Sequence, residues 1–356
     1  MEYGAVADLP LRVEGYSLSR RERDTSSGFV RTTTVVELHG DERTGRGEDV
    51  TYDTAAHEAF VATFGDDGPR ETLVPTGEFT FGAFSTALDD RDPFPEPPGQ
   101  TAARHYRRWG LESAALDLAL RQRGTNLGGV LDRAYDPVEF VASTRLGDPP
   151  TTDRVDALLR VRPDLGLKLD PTPDWTDAVI DALGETGAVC CLDLKGQYTG
   201  TSVDVPPDPD LYERLIETFP GAIVEDPALT PETERLFEGE VRERVSWDQP
   251  ITGVESVEAL PFEPSWLNVK PSRFGTLESL FETLAYCDRR SVRTYGGGQF
   301  ELGVGRRQIQ ELASLRYPDA PNDVAPGAYN DPEVREDLPA PPLRVDGDHV
   351  GFGTWG

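Results

Sequence analysis

Two hydrophobic periods alternate along most of this chain. From residue 138 onward, short β-prone apolar runs recur: VEFVAS (138–143), LGLKLD (165–170), AVCCLDL (188–194), AIVED (222–226), RVSWD (244–248), SWLNVK (265–270), SVRTY (291–295) and, most weakly, NDVA (322–325). Between them lie segments such as DWTDAVIDALG, DLYERLIETF, LESLFETLAYC and GRRQIQELASL, whose apolar residues return at helical spacing. Strand–helix alternation repeated about eight times predicts a parallel sheet closed into a barrel. Just before it, AARHYRRWGLESAALDLALRQRG predicts a long amphipathic helix ending at Gly124.

The first hundred residues have an α+β texture. Leu11–Ser17 and Val30–His39 predict paired strands, joined by the polar loop RRERDTSSG, with GEDVTYDT as a third stretch. Thr54–Phe64 predicts a helix that Thr54 would cap. The acidic, Pro-rich LDDRDPFPEPPG (88–99) marks a boundary. The expected domains are therefore 1–100 and a barrel over 101–334, with the Gly-rich tail 335–356 returning to the first domain.

Composition narrows the classes of function. A chain of 356 residues fits two domains, and 37% hydrophobic content with 15 Phe, 11 Tyr and 5 Trp excludes a disordered chain. The net charge of −29, from 64 acids against 35 bases, argues against nucleic acid or an anionic membrane as partner. The acids recur along the whole length, as expected of a solvating surface suited to strong brine. Cys190, Cys191 and Cys287 form no disulfide framework and no CxxC pair, which suits a reducing interior, and the first two read as core. No leader-like start and no run of ~20 apolar residues is visible, so the expected location is cytoplasmic. Lysine occurs only at 168, 195 and 270 among the 35 bases. Arg cannot act as a proton-transfer base near neutral pH, whereas Lys can, so the surviving lysines draw attention.

Charge falls at the ends of the apolar runs. Lys168 closes LGLKLD, Asp193 ends CLD, Glu225 sits in IVEDP, Asp248 in SWDQP and Lys270 in NVKP. The steps are 25 (168 to 193), 32 (193 to 225), 23 (225 to 248) and 22 (248 to 270) residues, each close to one β/α unit. Strand C-termini share one face of a barrel, and that face carries the active site. Three carboxylates in a low-dielectric cleft need a cation to offset their repulsion. Hard oxygen donors suit Mg²⁺, one ion per subunit, with Mn²⁺ as a substitute. Zinc is not expected, because His39, His57 and His105 precede the barrel runs and His349 follows them. The ion and the barrel walls should lower the pKa of Lys168 and Lys270, which would flank the cleft from opposite sides. A chelated carboxylate substrate gains acidity at its α-carbon. One lysine would take that proton, the metal would stabilise the enediolate, and the other lysine would return a proton or hold charge.

These residues, in this order, resemble the enolase superfamily and, within it, the muconate-lactonizing subgroup of the mandelate racemase/muconate lactonizing type. The likeness covers most of the chain: WGLESAALDLAL, the Asp–Glu–Asp series, the EDP after the second acid, VKPSRFG and YGGGQFELGVG. It implies a modified (β/α)₇β TIM-type barrel with an N-terminal α+β capping domain, Mg²⁺, and proton abstraction next to a carboxylate. By position it implies Asp193, Glu225 and Asp248 as ligands, Lys168 and Lys270 as acid/base residues, Glu301 beside Lys270, and a capping loop RRERDTSSG that closes on the substrate. The strand-seven His with strand-six Asp of the mandelate racemase and sugar-acid dehydratase branch is absent. Gly166 replaces the first lysine of the usual Lys-x-Lys, and Lys195 stands where an Asn is usual. A cation at 195 would weaken metal binding, reshape the pocket or bind a second substrate anion. No counterpart of the dipeptide epimerases' Asp-x-Asp is evident, which disfavours that activity.

Lys195, Glu301, Asp226, Arg20 and Arg23 are the further candidates for contacting or supporting the substrate; Arg20, Arg21 and Arg23 could hold a distal carboxylate. Gly296–Gly298 lack dinucleotide-binding spacing. The expected function is an isomerase or lyase of cycloisomerase, succinylbenzoate-synthase-like or racemase type, acting on a small-molecule carboxylate in a homo-oligomer. The competing function is a non-catalytic ligand-binding pseudoenzyme, motivated by Lys195.

Overall fold

The computed structural model describes residues 2–65, 73–201 and 203–355. Its N-terminal part contains α1 (Glu2–Ala7), β1 (Pro10–Val13), β2 (Gly15–Asp24), β3 (Val30–Gly40), β4 (Arg43–Asp49), α2 (Thr54–Phe64), β5 (Gly77–Thr80) and α3 (Phe81–Leu88). The sheets are antiparallel, β2-β3-β4 and β1-β5. The strand expected over Leu11–Ser17 is broken at Glu14, so β1 pairs with β5 and only β2 pairs with β3. Much of the expected RRERDTSSG loop is strand. Register runs from Gly15↔His39 to Asp24↔Val30, and the turn begins only at Thr25. Residues 19–24 are exposed on both faces, so no apolar alternation betrays the strand. Asp53, not Thr54, caps α2, accepting from the N–H groups of Ala55 (2.9 Å) and Ala56 (3.4 Å).

Helix α4 (Ala102–Arg123) ends where Gly124 adopts a left-handed conformation, as the pattern predicted. It is not amphipathic in effect. Its buried residues run all round it and include Arg107, Glu112 and Asp117, because β4 covers one side and the barrel another. Two acids on β4 join these parts. Glu48 accepts Thr33 Oγ1 (2.7 Å) and the N–H groups of Leu302, Gly303 and Gly305 (2.7–3.0 Å). Asp49 accepts Arg107 Nε (2.7 Å) and the amide and hydroxyl of Thr51.

The remaining elements are α5 (Leu127–Leu131), β6 (Val141–Thr144), α6 (Asp153–Val161), β7 (Gly166–Leu169), α7 (Asp177–Thr186), β8 (Val189–Asp193), α8 (Pro209–Thr218), β9 (Ile223–Glu225), β10 (Val245–Trp247), α9 (Val254–Glu258), β11 (Trp266–Val269), α10 (Pro271–Phe274), α11 (Leu277–Arg290), β12 (Arg293–Gly296) and α12 (Val304–Arg316). Strands β6 to β12 form one curled parallel sheet in sequence order, the modified barrel that the resemblance implied, with seven strands where the pattern predicted eight units. The weak eighth run contributes two parallel bridges, Asn322 to Phe140 and Asp323 to Gly297, which reach both sheet edges. The Asn322 side chain completes that seam, accepting from Gly296 N (2.7 Å) and donating to the Glu139 carbonyl (2.9 Å). In the tail, the N–H groups of Phe352 and Gly353 donate to Asp117 and Glu311. All three cysteines are free; Cys190 is half-buried rather than core. No helix among the described residues is long and apolar enough to cross a membrane.

Candidate active site at the barrel mouth

The C-terminal ends of five successive strands deliver the predicted charged residues to one place. Lys168 is the penultimate residue of β7, Asp193 and Glu225 end β8 and β9, and Asp248 and Lys270 directly follow β10 and β11. All five are buried. Asp193, Glu225 and Asp248 each present a carboxylate oxygen within 4.8 Å of the others.

Every lysine of the chain meets this triad. Lys168 Nζ lies 2.6 Å from Glu225, 3.7 Å from Asp193 and 3.6 Å from Asp323. Lys270 Nζ lies 2.8 Å from Asp248. Lys195 Nζ bonds Asp193 and is 3.6 Å from Asp170. Neutral donors fix the acids further. Asn268 Nδ2 (3.0 Å) and the Tyr295 hydroxyl donate to Glu225. Tyr198 Oη (2.9 Å) and Arg273 (3.3 Å) donate to Asp248.

Electrostatics separates the three acids, as crowded carboxylates require. Burial, resisted by Lys168 and reinforced by Asp193 and Asp248, pushes Glu225 up to about 8. Burial opposes ionisation of Asp193 and Asp248 too, but Lys195 and Lys168 hold the first, and Arg273 and Lys270 the second, well below the usual range. The neighbouring carboxylates displace both lysines upward. Burial lowers Lys168, yet Glu225, Asp193 and Asp323 outweigh it; for Lys270, Asp248 outweighs burial.

The other candidates divide. Asp226 accepts the N–H groups of Asp248 (2.8 Å) and Gln249 (2.9 Å), so its carboxylate fixes the end of β10. Burial and the nearby Asp248 raise it to about 7. Glu301 accepts Gln299 N–H and ion-pairs with Arg306 at 3.2 Å, while Lys270 pairs with Asp248; the expected Glu301–Lys270 neighbourhood gives no ion pair. Arg20 pairs with Glu58 (2.9 Å) and Arg23 with Asp331 (3.5 Å). The turn beyond them does approach the mouth. Ser26–Gly28, Arg145, Asp170, Trp175 and Lys195 line an open cavity of about 660 Å³.

Two glycines of the barrel are held by close packing, one of them the Gly166 departure. A Cβ on Gly166 would lie 2.8 Å from Cys190 Sγ and 2.9 Å from Val141 Cγ1, so a side chain there would force those neighbours to move. A Cβ on Gly297 would press on Asn268 and lie 2.9 Å from Lys270 Cε, so this glycine makes space for both. Sequence reasoning missed Asp323, Asp170, Tyr198, Asn268, Arg273 and Tyr295. Asn268 lies in β11 two residues before Lys270, which follows that strand directly, a spacing that signals a shared face; Asp323 sits in the run that barely reads as a strand.

A family model described as Domain of unknown function (DUF8230) C-terminal domain matches residues 134–331, and its N-terminal companion matches residues 4–130. The chain is 23% identical over 252 residues to o-succinylbenzoate synthase of Bacillus subtilis (strain 168), a match covering 68% of this chain and 64% of that protein, less than two thirds of its length. It superposes on the dipeptide epimerase from Methylococcus capsulatus, solved with Mg and the dipeptide L-Arg-D-Lys, with TM-score 0.69 and 16% identity, covering 90% of this chain and 92% of that one. It superposes on the muconate lactonizing enzyme from Pseudomonas putida with TM-score 0.64 and 19% identity, covering 88% of each. The fold is that of the enolase superfamily, to which these structural neighbours belong.

Proposed function

The chain belongs to the DUF8230 family, and from that premise we propose that it is a Mg²⁺-dependent isomerase or lyase that removes the α-proton of a small carboxylate substrate. The observation that carries this reading is the pairing of Lys168 and Lys270, from β7 and β11, with different members of one buried carboxylate triad.

The residues fit a metal. Three hard oxygen donors converge, and Asp248 Oδ1 is buried with no hydrogen-bond partner. Asp193, Glu225 and Asp248 would hold the ion, which when bound would draw electron density from the substrate carboxylate and acidify its α-carbon. Asn268 and Tyr295 orient Glu225; Tyr198 and Arg273 orient Asp248. With the carboxylates' charge taken up by the ion, one lysine would be neutral and take the α-proton, and the ammonium of the other would return a proton or hold charge. Two lysines permit 1,1-proton transfer, so epimerisation stands beside elimination and cycloisomerisation, and the missing Asp-x-Asp does not set it aside. The cavity beside Lys195 would take the remainder of the substrate.

The test is α-proton exchange in D₂O with Mg²⁺ across a panel of α-substituted acids that includes dipeptides and cyclohexadienyl carboxylates. Deuterium uptake into at least one acid is expected. A second reading, a non-catalytic binding module, draws support from Lys195 bonded to Asp193. Tight binding of panel members with no exchange into any of them would favour it and overturn the enzyme.

A further inference from the structure

Lys195 differs from the other two lysines of the cluster. Lys168 and Lys270 belong to strand ends, whereas Lys195 follows β8 with a left-handed backbone (φ 55°) and lines the open cavity. It engages both oxygens of Asp193: its own N–H donates to Oδ1 (3.2 Å) and its Nζ bonds Oδ2. A second carboxylate, Asp170, stands 3.6 Å from the same Nζ. Asp170 also holds Arg145 at 3.0 Å on the cavity wall.

We propose that Lys195 is a resident counter-cation that a divalent ion must displace from Asp193, and that Asp170 is the carboxylate that receives it. The proposal rests on the metal-site reading above. A metal bound by Asp193 and the Lys195 ammonium would compete for one carboxylate, and two cations so close repel strongly in buried surroundings. Asp170 lets the ammonium withdraw a short distance without becoming an unpaired buried charge. Metal affinity is thereby set below that of the bare triad. Lys195, which already lines the cavity, would then be free to meet an anionic group of the substrate.

The experiment measures Mn²⁺ binding through loss of the free-ion electron paramagnetic resonance signal, and Mg²⁺ binding by calorimetry, with no turnover required. Lys195→Asn should bind either ion about tenfold tighter or more, while Lys195→Arg, which keeps the charge, should stay near the parent. Asp170→Asn should weaken binding in the parent background yet change it little beside Lys195→Asn, since Asp170 acts through Lys195. Lys195→Gln replaces Lys195→Asn if the latter does not fold. Equal affinity of parent and neutral variants would overturn this proposal alone. No ion binding in either would overturn it together with the metal-site reading.

Discussion

Two buried charge networks in this molecule treat their acceptors in opposite ways. Where β4 meets the barrel, both oxygens of Glu48 and both of Asp49 accept hydrogen bonds or pair with Arg107. Glu48 sits against the first N–H groups around the start of α12, a position that favours an anion. At the barrel mouth, three carboxylates crowd together while Asp248 Oδ1 and Asn268 Oδ1 are left without partners. A saturated network is a clasp. One that leaves buried acceptors open is prepared for something to arrive.

The sharpest way to test that contrast is to ask which property each network controls. Lys168→Ala or Lys270→Ala should lower α-proton exchange by about 10²–10⁴-fold, read by NMR in D₂O. Parent rates in both variants would end the acid/base assignment.

Arg107→Ala acts on the other network. It leaves Asp49 buried and unpaired and should cost roughly 3–5 kcal/mol in urea unfolding, with exchange per folded molecule unchanged. The pH dependence has a definite sign. Arg107 holds Asp49 below the usual aspartate value despite burial. The stability from that pair is therefore complete above the unfolded value of about 3.9 and is lost as pH falls through the lower folded value. Asp49→Asn should show no such acid loss.

Glu48→Ala removes the acceptor for three backbone N–H groups and should cost about 1–3 kcal/mol, again without a catalytic signature. The smallest effect is expected at Arg20, whose pair with Glu58 is solvent-screened. Arg20→Ala should change stability by about 1 kcal/mol or less and leave KM alone. A clear KM increase would restore Arg20 as a substrate contact.

The five strand-end residues were legible because a charge closing an apolar run, repeated at β/α-unit spacing, is what strands opening onto one shared mouth produce. The long helix and its Gly124 stop were legible for similar reasons. The second half of β2 was not, because its stability comes from the ladder with β3 and not from any buried face. The pairing of Lys168 with Glu225 at 2.6 Å was not legible either, because it is a tertiary distance that no sequence spacing encodes. Asp323 escaped for a related reason. It reaches Lys168 from a segment held by isolated bridges and by the Asn322 side chain, neither of which has a periodic signature.

The confinement of every lysine to one cluster has a practical consequence. Reductive methylation with isotopically labelled formaldehyde would put side-chain probes only at positions 168, 195 and 270. The resulting spectrum would report on this mouth without interference from any other side chain. Lys195, the most accessible of the three at 13% side-chain exposure against 2% and 8%, should be the first to take the label.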